Sequence, residues 1–179
     1  MLSYRGQPDI LIDEPSIAFS ANRFSKGWRI GREDEIHLAE VLSSSDVVLN
    51  VLSTSSLDAA AFDRPIVSIA FDGYQNMPYY RSILRYYDWT HYQTLISTEG
   101  LRIARSPQEL LERINQYLDN PKLDAKGRSE IIRSHCYRID GKAGERIGNF
   151  LVRELDFYCR GGTPLKDQPR WQKTEPVSS

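Results

Sequence analysis

The segment DVVLNVLSTSSLDAAAFDRPIVSIAF, residues 46–71, determines the fold class of this chain. It contains two runs of aliphatic and β-branched residues, 47–52 and 66–71, of the kind that forms parallel strands covered on both faces. Between them the sequence predicts a serine turn at 53–56 and a short alanine-rich helix at 57–62, which ends before Pro65. The segment is therefore predicted to form a strand, a helix and a second strand.

This unit predicts an α/β, Rossmann-like fold with a parallel sheet flanked by helices. Parallel strands need a crossover connection, and right-handed crossovers build doubly wound sheets that bind ligands at the carboxyl ends of their strands. We expect the run 47–52 to be a central strand. An acidic first turn at 33–35 predicts a helix before it, and residues 100–104 are a candidate for a further short strand.

The end of the domain is predicted to be helical. Ser106, Pro107 and Glu109 form a capping box with proline at the first helical position. Further helices are expected over 124–135 and from Lys142. The apolar stripes expected to be buried are Leu110, Leu111, Ile114 and Leu118 in the first of these helices and Ile147, Phe150, Leu151 and Leu155 in the last.

The length of 179 residues fits one domain. We assign residues 1–160 to it, with 1–32 poorly defined and containing weak strand candidates at 10–12 and 28–30. Residues 161–179 have too few apolar groups to fold by themselves and are interpreted as a flexible tail. The 23 Lys and Arg residues balance 24 Asp and Glu residues, so no general attraction to nucleic acid is expected.

The chain is expected to be soluble and cytoplasmic. No stretch approaches the roughly 18 apolar residues of a membrane span, and the start lacks the layout of a signal peptide. The two cysteines, Cys136 and Cys159, lack the spacing of a metal site or a redox pair, which fits a reducing cytoplasm. Action at the inner face of the membrane is compatible with these features.

Ser53, Thr54, Ser55 and Ser56 are candidates for phosphate binding. They lie between a predicted strand and a helix start, where hydroxyls and free backbone N–H groups form a site for anions. The alternative is that one of these serines simply caps the helix.

The residues that follow resemble a motif of GT-B type glycosyltransferases. Residues 58–67, DAAAFDRPIV, match its pattern of acidic-Ala-x-Ala-x-Gly-x-Pro-Val-Val, although Asp63 replaces the common Gly. In that family the acidic residue, usually Glu, binds the ribose of a nucleotide sugar, and the preceding small residues face its diphosphate. The resemblance gives these roles to Asp58 and to residues 53–56. An acid in the first turn of a helix, stabilising by about 0.3–1 kcal/mol without any ligand, is the alternative for Asp58.

The chain resembles most closely the CDP-glycerol glycerophosphotransferases and capsular glycosyltransferases. They share the acid-led strand and serine pair, and residues 140–146, DGKAGER, resemble their Asp-Gly-Lys-Ala-x-x-Arg stretch. The resemblance covers about residues 33–155. Lys142 and Arg146 are weak candidates for phosphate contacts because they share one helix face, and an ordinary solvated face is the alternative.

Other kinds of site lack their motifs. The three histidines, His37, His91 and His135, share no metal spacing, so no metal site is expected. No nucleophile elbow, Walker loop or Gly-x-Gly-x-x-Gly occurs. Catalytic residues are unassigned apart from the weak candidate His91, which follows an aromatic-rich loop, 72–92, that is expected to be a lid or packing loop and could stack on a nucleobase.

The resemblance implies a donor nucleotide-binding domain of a glycosyltransferase or glycerophosphotransferase of cell-surface polysaccharide biosynthesis. Its substrate would be a UDP-, CDP- or GDP-linked sugar or polyol, with no cofactor. Full activity would need an N-terminal acceptor domain in cis or trans. Two alternatives stay open, namely a domain of a sugar-nucleotide 2-epimerase-like isomerase and a noncatalytic nucleotide-binding or interaction module.

Removal of residues 161–179 should leave the melting temperature nearly unchanged, because their composition cannot offset the chain entropy lost on ordering. Thermal denaturation of the shortened chain tests this. A decrease of many degrees would mean that Trp171 packs into the core.

Overall fold

The computed structural model describes residues 7–13, 18–19, 28–29, 31–73 and 77–160. The chain divides into two compact units, 1–137 and 138–179. The sequence placed residues up to 160 in one domain, whereas the structure assigns the last helix to the second unit. The predicted tail lies outside the described residues.

The first unit contains helices and short strands in alternation. In chain order these elements are β1 (Ala18–Phe19), β2 (Trp28–Arg29), α1 (Arg32–Ser44), β3 (Val48–Asn50), α2 (Ser55–Ala61), β4 (Ile66–Ile69), two 3-10 turns (Tyr79–Arg81 and Ile83–Asp88), α3 (Thr90–Ile96), β5 (Arg102–Ala104), α4 (Pro107–Asp119), α5 (Ala125–Ile131) and a π-helical turn (Ile132–Cys136).

The main sheet has three parallel strands in the order β3, β4, β5, which confirms the α/β class and is compatible with a Rossmann-like fold. The prediction that 47–52 forms a central strand is wrong for the described sheet, because β4 is central and β3 lies at an edge. No described strand pairs with the outer side of β3, and the side chain of its Leu49 is 46% exposed. The strands β1 and β2 form a separate antiparallel pair, and residues 10–12 form no strand.

Helices cover the two faces of the sheet around separate apolar clusters. On one face Ile66 of β4 packs with residues of α2, α3 and α5, among them Ala59, Leu95 and Ile131. Because successive residues of a strand point to opposite faces, Val67 lies on the other side. There it packs with Ala104 of β5 and Tyr117 of α4.

The buried face of α4 differs from the predicted stripe. Leu111 and Leu118 are exposed, whereas Tyr117 is completely buried and Leu110 packs beside it. The Tyr117 hydroxyl donates to Asp124 Oδ2 at 2.8 Å, which makes burial of its polar end possible. Burial raises the pKa of this phenol, and its bond to the Asp124 carboxylate raises it further.

Two glycines allow α5 to approach the chain just before β5. A Cβ atom added to Gly100 would lie 2.5 Å from the carbonyl carbon of Gly127, and one added to Gly127 would meet the backbone of Glu99. Both positions therefore need glycine because two stretches of backbone are in direct contact.

Gly127→Ala should lower the free energy of unfolding by about 1–3 kcal/mol, because the neighbouring backbone must shift to admit the methyl group. Urea denaturation measures this change. Gly148→Ala is the control, since Gly148 lies in a helix and a Cβ there has no neighbour within 4 Å. Equal stability of Gly127→Ala and the unaltered chain would contradict the close backbone contact.

The second unit contains α6 (Ala143–Cys159). Asp140 Oδ1 accepts a hydrogen bond from the Lys142 N–H at 3.0 Å, and Gly141 adopts a positive φ of 70°. The predicted helix is confirmed, but its stripe is not buried, because Ile147, Phe150, Leu151 and Leu155 are all exposed. Among the described helices, none is long and apolar enough to cross a membrane.

Candidate functional site

The connections that leave the three parallel strands begin at the same edge of the sheet, since parallel strands end on one side. The serine turn, residues 53–56, follows β3. A loop beginning at Ala70 follows β4, and Arg105 directly follows β5. This carboxyl edge therefore holds the predicted phosphate-binding residues together with Arg105, which the sequence analysis did not select.

Asn50 connects the serine turn to the sheet. Its Nδ2 donates to Ser55 Oγ at 3.2 Å and to Ser56 Oγ at 2.9 Å, while its Oδ1 accepts from Ser68 Oγ at 3.0 Å. Ser56 and Ser68 are both completely buried. Asn50 was not among the predicted site residues, although a polar residue within the apolar run 47–52 was a signal for such a contact.

The four predicted phosphate-binding residues differ in accessibility. Ser56 points into the protein, Ser53 and Ser55 are half-buried, and Thr54 is exposed. The Oγ atoms of Ser53 and Ser55 lie 2.5 Å apart and share a hydrogen bond. The residues that offer hydroxyls at the surface are therefore Ser53, Thr54 and Ser55.

The backbone N–H groups at the start of α2 already have acceptors. The Ser55 N–H donates to Ser53 Oγ, the Ser56 N–H to the Ser53 carbonyl and the Leu57 N–H to the Thr54 carbonyl. The expectation of free N–H groups is therefore wrong for Ser55 and Ser56, because α2 begins two residues earlier than predicted, with tight turns at its start. At the start of α2 the donors left for a ligand are side-chain hydroxyls.

Asp58 is exposed in the first turn of α2. Within the described residues its carboxylate has no hydrogen bond or ion pair. Helix α2 packs against the π-helical turn, and there the charge of Asp58 adds to the effect of burial in raising the pKa of the Cys136 thiol. The carboxylate is therefore open to a ligand, with the π-helical turn beside it.

Asp63 has a structural explanation. Its φ of 52° is in the left-handed region, which accounts for the glycine that the related motif commonly has at this position. Asp is tolerated there, and its Oδ1 accepts from Arg128 Nε at 2.7 Å. Arg128 is only 1% exposed and also donates to the carbonyls of Leu123 and Pro121. Asp63 thus supplies the carboxylate partner of a buried cation at the far end of α2.

The weak candidates Lys142 and Arg146 belong to the second unit. Arg146 Nη1 lies 2.8 Å from both carboxylate oxygens of Asp140. This bond and the one from the Lys142 N–H hold the pKa of Asp140 below its usual value. The positive charge of Arg146 is therefore already balanced by a neighbouring carboxylate.

His91, the weak catalytic candidate, is exposed near the start of α3 and belongs to a group of aromatic rings. Its ring centroid lies 4.1 Å from that of Tyr92 and 5.6 Å from that of Trp89. Tyr87 anchors this segment, since its buried hydroxyl donates to the carbonyl of Ile69, the last residue of β4, at 2.7 Å. The loop predicted at 72–92 is thus partly helical and attached to the carboxyl edge, whereas Tyr74 lies outside the described residues.

Arg105 adds a positive charge to this edge. Its side chain is exposed, and no carboxylate pairs with it within the described part of the chain. Burial raises the pKa of the Tyr87 phenol, and the positive charge of Arg105 partly opposes this rise. Its position directly after a parallel strand was the only sequence signal.

A groove of about 460 Å³ lies between α3 and the end of α5. Its lining consists of Thr94, Ser97, Thr98, Glu130, Ser134 and His135. All four hydroxyls donate to backbone carbonyls of their own helices or helix ends, and His135 Nδ1 lies 2.8 Å from Ser134 Oγ. The polar groups of this groove are therefore already satisfied. No group of residues suited to hold a metal ion occurs among those described.

No protein-family model, curated protein or solved structure matches this chain.

Asp63→Gly should lower the free energy of unfolding by about 1–3 kcal/mol, because the buried Arg128 loses its charged partner. Water replaces part of this interaction, since the Asp63 side chain is 69% exposed. Asp63→Ala should cost about 1 kcal/mol more, because alanine is strained at a positive φ. Urea denaturation of both variants measures the two effects separately. A glycine variant as stable as the unaltered chain would show that Arg128 does not depend on Asp63.

Proposed function

We propose that this chain is the donor nucleotide-binding domain of a two-domain glycosyltransferase or glycerophosphotransferase. The observation that carries the proposal is the pairing of a hydroxyl-rich turn with an exposed Asp58 at the carboxyl end of β3, in the strand–turn–helix–strand unit that resembles the GT-B motif. The ligand is the nucleoside diphosphate part of a UDP-, CDP- or GDP-linked sugar or polyol.

The exposed groups match the chemistry of that ligand. Phosphate oxygens accept hydrogen bonds, which can come from the Thr54 hydroxyl and from whichever of the Ser53 and Ser55 hydroxyls does not donate to the other. Arg105 provides a positive charge at the same edge of the sheet. Ribose hydroxyls can donate to a carboxylate, and Asp58 is exposed in the first turn beyond the phosphate-binding hydroxyls. Ser56 contributes indirectly by holding the turn in place.

These contacts would also support the reaction. Glycosyl transfer breaks the bond between the anomeric carbon and the donor phosphate, and negative charge then develops on the departing diphosphate. Glycerophosphoryl transfer instead breaks a bond between the two phosphates, and the charge develops on the departing nucleoside monophosphate. Hydrogen-bond donors and a cation held at the phosphates stabilise either leaving group.

Exposed apolar surface supports the need for a second domain. On α1 the side chains of Ile36, Leu38 and Val41 are exposed, and so are Leu49 and Val51 in and after β3. The outer side of β3 has no partner strand within the described residues. Apolar patches and open sheet edges of this kind are normally covered by another structural element. The acceptor domain, in cis or trans, is our proposed partner for catalysis.

Titration with UDP, CDP, GDP and ADP should raise the melting temperature for at least one of them. At about 100 times the dissociation constant, binding adds about 2.7 kcal/mol of stability, which corresponds to a shift of about 5–10 °C. Asp58→Ala should reduce this shift without unfolding the chain. Glu112→Ala is the matched control, because Glu112 is an exposed carboxylate on α4, which packs on the opposite face of the sheet.

The proposal is wrong if none of the four nucleotides shifts the melting temperature, a result that would favour a noncatalytic interaction module. Equal responses of Asp58→Ala and Glu112→Ala would remove Asp58 from the site. Nucleotide binding followed by epimerisation of the sugar, without transfer, would assign the chain to an isomerase.

A further inference from the structure

We propose that Trp89, backed by Tyr92 and flanked by His91, is the surface on which the nucleobase of the donor stacks. The inference rests on the proposed function and adds the part of the ligand that the serine turn and Asp58 leave without a partner. It assigns a binding role to the exposed aromatic rings that follow β4.

The position of these rings is fixed by hydrogen bonds to the end of β4. The Tyr87 hydroxyl holds the segment to the Ile69 carbonyl, and the Ile83 N–H donates to Asp72 Oδ1 at 2.9 Å. Gln93 Nε2 also donates to the Tyr87 carbonyl. These bonds place Tyr87 and the start of the aromatic segment where the chain leaves β4, the strand that pairs directly with β3, and Trp89 follows two residues after Tyr87.

The aromatic segment and the serine turn also lie on the same face of the sheet. Ala59 and Ala60 of α2 pack in one cluster with Tyr87 and with Leu95 of α3. Helix α2 begins just after β3, and the 3-10 turn that precedes α3 is held to the end of β4 by Tyr87. On this proposal a ligand with its phosphates at the start of α2 extends along the same face toward the aromatic segment.

The ring geometry supports stacking on Trp89. The planes of Trp89 and Tyr92 differ by 11°, with centroids 6.1 Å apart, and the Tyr86 ring meets Trp89 nearly edge-on at 4.9 Å. Arg85 holds Tyr86 by a hydrogen bond of 2.9 Å to its hydroxyl. Trp89 is therefore supported by its neighbours and still 45% exposed.

Packing alone accounts for Tyr87 but not for Trp89 and His91. Tyr87 is buried and fills the core, whereas the other two rings are in contact with each other and exposed at the edge where ligands bind. Aromatic rings stack on the π face of any nucleobase. The chemical class of the ligand is therefore an aromatic heterocycle attached to a diphosphate.

The fluorescence of Trp89 provides a direct test. The chain has three tryptophans, so a Trp28→Phe/Trp171→Phe variant of the full chain retains Trp89 alone as the reporter. Titration with UDP, CDP, GDP and ADP should quench its emission, whereas inorganic pyrophosphate should not. In calorimetry Trp89→Ala should weaken binding of the same nucleotides roughly 5- to 150-fold, and Trp89→Phe should retain most of the affinity.

The outcomes separate this inference from the proposed function. In one outcome the nucleotides bind and Asp58→Ala weakens their binding, but Trp89→Ala leaves the affinity unchanged and the nucleotides do not quench the Trp89 fluorescence. The stacking role is then wrong and the proposed function stands. If Trp89→Ala weakens binding and Asp58→Ala does not, the stacking role stands and the ribose contact is wrong. Binding of none of the nucleotides overturns both. If Trp89→Ala does not fold, His91→Ala serves as a second variant, because His91 is exposed and its removal should also weaken nucleotide binding.

Discussion

The side-chain amide of Asn50 is the interaction on which the candidate site depends. Asn50 is the last residue of β3. Its side-chain amide accepts a hydrogen bond from Ser68 of β4 and donates to two serines at the start of α2. This half-buried amide fixes the elements that it connects, because its partners Ser56 and Ser68 are completely buried and each unpaired polar group in the interior would cost about 1–3 kcal/mol. The direction in which the turn presents its remaining hydroxyls follows from this contact.

Local patterns were enough to predict the strand–helix–strand unit. The signals for it are the apolar runs, the alanine-rich helix and the proline that precedes β4. Each depends only on residues close together in the chain, so the structure could be predicted from this segment alone. The same holds for α4, where the Ser106 hydroxyl accepts from the Glu109 N–H as the capping box predicts. The serines and Asp58 were selected in the same way, from their position between a strand and a helix.

Features that depend on distant contacts were not predictable. Whether Val47 to Leu52 is central or at an edge depends on which strands pair with it, and the run itself contains no such information. The buried face of α4 was misplaced because Tyr117 was not counted as apolar, although Asp124 satisfies its hydroxyl. Arg128 could not be connected to Asp63 from sequence, since 65 residues separate them. Arg105 likewise could be assigned to the carboxyl edge only once the pairing of β5 with β4 was known.

Helix α2 has only seven residues, and a helix of that length is not stable by itself in water. It is held by Asn50 at its beginning and by the Asp63–Arg128 pair just beyond its end. Because both ends are tied to different parts of the core, the helix has little freedom to rotate or shift when a ligand arrives. Preorganisation of this kind spares the ligand the entropy of ordering the protein, so that more of its contact energy appears as affinity. Any large motion on ligand binding must then come from elements other than α2.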